Sequence, residues 1–152
     1  MLFRSDALYR AGENRYNSRQ LAQALEAYRR LETDFAQSEF AAKGLYSAAW
    51  THMDLEAEEE SIGAMRRLVE RYPRSEFARY AQFSIGDYYY SKKEYRQAQQ
   101  AYRGVVAGYA GSPEADKAAQ LLLDLDEDLA SLAYEKAFAD FDRGNFTAAV
   151  AG

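Results

Sequence analysis

Apolar and polar positions along this chain recur with one spacing. Ala27, Ala64 and Ala101 lie 37 residues apart, and the same shift aligns Ala41, Ala78 and Ala115. Polar positions keep step: Arg29, Arg66 and Arg103 align, as do Ser38, Ser75 and Ser112. Conservative sets fill the intervals: Leu31, Leu68 and Val105; Phe35, Tyr72 and Tyr109; Tyr28, Met65 and Tyr102; Gly12, Ala49 and Gly86. The repeat windows are 5–41, 42–78 and 79–115, with 116–152 left over.

Each window reads as two helices. In the third, a helix entered from Ser75 runs through Tyr90, Ser91-Lys92-Lys93 turns, and a second helix carries Tyr95, Ala98, Tyr102, Val105 and Tyr109. That second set has i, i+3/i+4 spacing and so lies on one helical face. Leu21, Ala24, Tyr28, Leu31 and Phe35 form the same stripe in the first window; Ser61, Met65, Leu68 and Tyr72 form it in the second. Proline at Pro73 cannot continue a helix, and Ser75 can cap the next one. A helix pair of this length cannot hide its apolar stripe alone, but stacking on its neighbours can. The sequence therefore predicts an all-α, right-handed superhelical solenoid of antiparallel helix pairs. Small residues at Gly12, Ala49 and Gly86, mid-helix, predict close approach of the two helices.

The last window departs from the register. Pro113 to Leu125 reads as one helix, Asp124, Asp126, Glu127 and Asp128 as an acidic break or bend, and Leu129 to about Phe141 as another helix. Phe146 to Val150 reads as the start of a partial repeat, and Met1-Leu2-Phe3 begins without a cap. This pattern is expected of a fragment of a longer array.

Composition narrows the function. The chain has 152 residues, with 24 acids against 19 bases and a net charge of −5. That balance argues against nucleic-acid binding, which needs a basic face to displace counterions. No cysteine is present, so disulfides, thiolate metal sites and cysteine nucleophiles drop out together. One histidine, His52, cannot build a histidine cluster, and its repeat equivalents Arg15 and Tyr89 make it a packing residue. No apolar run reaches the length of a membrane span. No nucleophile–base pair, phosphate loop or metal spacing is present, so neither an enzyme nor a cofactor is expected. The acids at 124–128 lack the glycine and terminal glutamate of a calcium loop. Glu56, Glu58, Glu59 and Glu60 read as a solvated first helical turn, and Arg66, Arg67, Arg71 and Arg74 as a basic patch on a second helix.

The repeats resemble the tetratricopeptide repeat family. The residues that carry the resemblance are Ile85-Gly86, Tyr89, Ala98, Tyr102 and Val105 in the third window. In the second they are Ala48-Ala49, His52, Ser61, Met65, Leu68 and Pro73, and in the first Ala11-Gly12, Arg15, Ala24, Tyr28 and Leu31. Departures are Gln82 at the early large position, where Leu8 and Leu45 stand in the other windows, and Arg15 and His52 in place of an aromatic. The period exceeds the roughly 34 residues usual for that family. With the run Tyr72-Pro73-Arg74-Ser75-Glu76-Phe77-Ala78, it resembles a bacterial envelope subgroup that includes BamD-type outer-membrane assembly lipoproteins and TolA-binding periplasmic proteins. The resemblance implies a cell-envelope scaffold, periplasmic or outer-membrane-associated, with a cytoplasmic address left open.

The resemblance also implies a concave groove lined by the first helix of each pair. It selects Tyr9, Glu13 and Tyr16; Tyr46, Trp50 and Met53; and Phe83, Asp87 and Tyr90, each set one i, i+4, i+7 stripe. Two placements are open for Tyr9, Tyr46 and Phe83: lining the groove, or packing between repeats. Trp50 falls between Glu13 and Asp87 at the same repeat position, which favours an exposed anchor. Those acids imply a protein or peptide partner carrying lysine, arginine or an amino terminus. Alternatives are a docking segment of a larger enzyme or sensor, and a self-associating solenoid.

Overall fold

The helix boundaries recur at the period set by the side chains. A computed structural model describes residues 2–143. The first helices of successive pairs are α1 (Leu2–Asn17), α3 (Glu39–Asp54) and α5 (Glu76–Ser91). Their partners are α2 (Leu21–Asp34), α4 (Glu58–Arg71) and α6 (Tyr95–Gly108), followed by α7 (Pro113–Asp142). Every start and end in these three pairs moves by 37 residues from one pair to the next. Among the described residues the chain is all-α, with the helix-pair repeat of a solenoid.

The turn inside each pair is closed in the same way. Arg19, Glu56 and Lys93 have φ of 59°, 58° and 61°, the left-handed region. In the first pair the Gln20 N–H donates to the Arg15 carbonyl at 2.8 Å and the Arg19 N–H to Tyr16 at 2.9 Å. The same two bonds recur from Ala57 and Glu56, and from Glu94 and Lys93. They satisfy carbonyls that a helix end leaves open. Serine starts the next pair: Ser38 Oγ accepts from the Phe40 N–H and Ser75 Oγ from the Phe77 N–H, both at 3.2 Å. Ser112 Oγ accepts from the Ala115 N–H at 3.1 Å.

The chain divides into two compact units, Met1–Ile85 and Gly86–Gly152. In the first, α1 packs on α2, α2 on α3 and α3 on α4, and α1 also touches α3, so consecutive pairs stack. In the second, α6 packs on α7. The second helices bury Ala24, Tyr28 and Leu31; Ala64, Met65 and Leu68; and Ala98, Tyr102 and Val105.

The small mid-helix position makes room for a large ring in the first and third pairs. A Cβ on Gly12 would lie 2.6 Å from the Tyr28 ring, and one on Gly86 would lie 2.4 Å from the Tyr102 ring. The tyrosine ring occupies the space beside the glycine that a Cβ would need. In the middle pair the slimmer Met65 replaces tyrosine and Ala49 replaces glycine. Ser61 stands where the other pairs bury Ala24 and Ala98, and its buried hydroxyl has no hydrogen-bond partner.

The tail differs from expectation. The acidic run at 124–128 does not break the helix: α7 continues through it from Pro113 to Asp142. No glycine or proline follows Pro113 within the helix, and aspartate in a helix interior costs only up to about 0.7 kcal/mol against alanine. Leu125 is fully buried, and Asp126 Oδ1 accepts from Gln99 Nε2 on α6 at 2.6 Å, which ties this stretch down. The partial repeat at Phe146–Val150 and the uncapped start at Met1 lie outside the described residues.

Two stability predictions follow from this packing. Gly86→Ala should lower stability to urea by roughly 1–3 kcal/mol through overpacking. Combining it with Tyr102→Met, the pairing of the middle repeat, should cost less than the sum of the two single changes by about 0.5 kcal/mol or more. Strictly additive costs would show that the ring contact does not select glycine. Separately, Ser61→Ala should raise stability by about 1 kcal/mol, since a buried unpaired hydroxyl is removed.

Candidate binding site

The site is built on first helices, where side chains one and two turns apart face one way. In the first unit, Tyr9, Glu13 and Tyr16 on α1 meet Tyr46 and Trp50 on α3 around an open cleft of about 330 Å³. Five of the nine residues expected at a partner surface are therefore brought together. Phe83 belongs to this unit but does not line the cleft, nor does the half-buried Met53. Asp87 and Tyr90 belong to the second unit.

Trp50 is the exposed aromatic of the cleft, with 41% of its surface open to solvent. Its ring meets Tyr46 edge-on, 6.1 Å between centroids at 83°. Tyr46 is held in turn by Phe77 at 5.6 Å and Tyr80 at 6.2 Å. Trp50 thus stands on a fixed aromatic platform, which limits the side-chain entropy lost when it is covered. Tyr16 is pinned by donating its hydroxyl to Asp54 at 2.5 Å, and Arg19 lies 3.8 Å from the same carboxylate.

Tyr9 combines the two placements, lining the cleft while packing between the first two pairs. It is buried, with its ring 6.1 Å from Tyr28 and 5.7 Å from Phe40. Its hydroxyl shares a 3.3 Å hydrogen bond with Ser47, and the Lys43 ammonium stands 4.6 Å from its ring centroid. It forms cleft floor rather than an anchor. Phe83 is buried as well. Tyr90 is 39% exposed, with its ring 5.7 Å from Tyr95.

The two acids have an internal task that sequence reading missed. Glu13 accepts the hydroxyl of the buried Tyr28, and Asp87 accepts that of the buried Tyr102 at 2.6 Å. A buried phenol without a partner is costly, so each carboxylate first serves its own helix pair. Met65 has no hydroxyl to satisfy, and the equivalent position in the middle pair is Trp50. No tyrosine beneath it requires an acceptor, so this solvent-facing position is free to carry a tryptophan. Burial, and then the bond to the carboxylate, push the Tyr28 and Tyr102 phenols well above the ordinary value of 10.0.

Lys43, Ser47 and Phe77 also line the cleft and were not singled out by the sequence. Phe77 had a signal, since the 37-residue shift aligns it with Phe40. His52 is partly buried, which lowers its pKa and accords with packing. Two arginines of the basic patch meet one carboxylate: Glu32 accepts from Arg67 at 3.3 Å and Arg71 at 2.7 Å. Among the described residues, no group of three or more His, Asp or Glu side chains is arranged for a metal ion, and no helix is long and apolar enough to cross a membrane.

Comparison with known families matches residues 6–38, spanning most of α1 and all of α2, to the tetratricopeptide repeat. No curated protein gives a match to the chain.

The raised phenols set an alkaline limit. The unfolded chain loses these protons near the ordinary value of 10.0, whereas the fold holds them to higher pH. Above that value the unfolded state binds fewer protons, so stability falls as pH rises. Ultraviolet titration of tyrosinate should show Tyr28 and Tyr102 ionising only together with unfolding. Tyr28→Phe plus Tyr102→Phe should flatten the alkaline loss of stability.

Proposed function

We propose that this chain is a non-enzymatic interaction scaffold that holds a peptide or an extended protein segment in the cleft around Trp50. The observation that carries this reading is the exposure of Trp50 on the Tyr46 platform, at a position where the other two pairs place an acid engaged with a buried tyrosine. A partly exposed, positioned tryptophan is the kind of residue that dominates interfaces, at about 2 kcal/mol or more on truncation. Tetratricopeptide repeats as a class mediate protein–protein contacts, which agrees with the match over the first helix pair.

The cleft favours an apolar or aromatic side chain at Trp50. Glu13 and Lys43 flank it with opposite charges, and Glu13 already accepts from Tyr28. Selection of a basic partner by charge alone is therefore weaker here than the sequence implies. The wider setting we assign is a bacterial envelope assembly, in the periplasm or at the outer membrane. Its support is the 37-residue period and the run from Tyr72 to Ala78.

The test uses the sole tryptophan of the chain as its own reporter. Pulldown from a bacterial envelope extract is compared for wild type and Trp50→Ala at matched thermal stability. Each captured partner is then titrated against wild type by tryptophan emission. Partners lost in the variant, whose binding shifts the emission to the blue with an affinity near micromolar (about −8 kcal/mol), are expected. Identical partner lists, or binding that leaves the emission unmoved, would send recognition elsewhere on the molecule.

A further inference from the structure

Helix α7 carries a second surface that the cleft reading does not use. Leu123, Tyr134 and Phe138 are 61%, 72% and 60% exposed. Tyr134 and Phe138 are i, i+4, and Leu123 lies eleven residues before Tyr134, about three helical turns, on the same side. Ala130 falls between them at i+7 from Leu123. Tyr134 and Phe138, one turn apart and both open to solvent, are the aromatic centre of this face, and large exposed apolar side chains grouped on one face mark an interaction surface. The stripe is distinct from the packed side of the helix, where Ala115, Ala118 and Leu125 are buried.

The charge around the stripe identifies its occupant. Helix α7 has nine carboxylates against two lysines, a net −7 on a single helix, where the whole chain carries −5. Glu127 sits within the stripe, four residues after Leu123 and seven before Tyr134, and is exposed. Asp124 and Glu135 border it and are exposed too. Lys136 lies away from the stripe by its spacing, half a turn from Tyr134 and Phe138. Like charge at this density opposes a second copy of α7, an anionic membrane and a nucleic acid. A straight stripe on one helix is matched best by another helix laid along it. We propose that the stripe at Leu123, Tyr134 and Phe138 docks a basic amphipathic helix of a partner protein. Its apolar face covers the aromatics, and its lysines or arginines meet Glu127, Asp124 and Glu135.

The experiment titrates the full chain with two labelled amphipathic peptides of about five helical turns. Both carry the same leucine pattern; one has lysine and the other glutamate at the remaining positions. The leucine–lysine peptide is expected to bind, more weakly as salt rises. Tyr134→Gln plus Phe138→Gln leaves the charge unchanged and should weaken that binding roughly tenfold or more. Asp124→Lys plus Glu127→Lys should shift preference toward the leucine–glutamate peptide. Trp50→Ala should change neither, which separates this surface from the cleft. Equal binding by the glutamine variant would reduce the effect to charge alone and overturn the proposal. So would equal binding of the two peptides by wild type. A wild-type dimer seen by sedimentation and lost in the glutamine variant would make a second copy the occupant, against the proposal.

Discussion

The packing of a tyrosine ring against glycine backbone sets the geometry of the first and third helix pairs. Tyr28 at Gly12 and Tyr102 at Gly86 place their rings where a Cβ at the small position would have to be. Each tyrosine is buried in its pair, and a buried phenol must donate a hydrogen bond. The acceptor is the residue next to the glycine, Glu13 or Asp87. Glycine, acid and tyrosine are therefore one unit, fixed by sterics and hydrogen bonding together. The middle pair uses a different unit, Ala49, Trp50 and Met65, in which none of these demands arises.

The spacing between pairs has a separate origin. A left-handed residue closes the turn within each pair, and a serine opens the next pair. Both devices satisfy backbone groups at helix ends, so they hold helix lengths constant while the side chains on each face vary. This is why Trp50 can replace an acid without moving a single helix boundary.

Most of the architecture was legible because it rests on periodicity. Apolar spacing located the helix pairs, and small residues in register pointed to the tight contacts seen at Gly12 and Gly86. The partner of each acid was not legible. Glu13 and Tyr28 stand fifteen residues apart on different helices, and their contact depends on a ring orientation that spacing does not encode. Read alone, Glu13 and Asp87 pointed outward to a basic partner. The packing of Tyr9 and Phe83 was left open for the same reason, since an i, i+4, i+7 stripe cannot distinguish groove from floor. Helix α7 misled in the opposite sense. Acidic residues resemble a loop in composition, but without glycine or proline they do not end a helix that Leu125 anchors.

The coupled unit constrains how such an array can diversify. A duplicated pair inherits three positions that are tolerated together and penalised apart, so a new surface aromatic can arise only after the tyrosine beneath it has been given up. The hidden residue on the second helix thus governs what the visible one on the first is free to become. In a longer array, the pairs available for recognition could be read from the inside: methionine at the ring position marks a permissive repeat, tyrosine a committed one. An engineer could recode the third pair by the same grammar, changing its interior first and its face second.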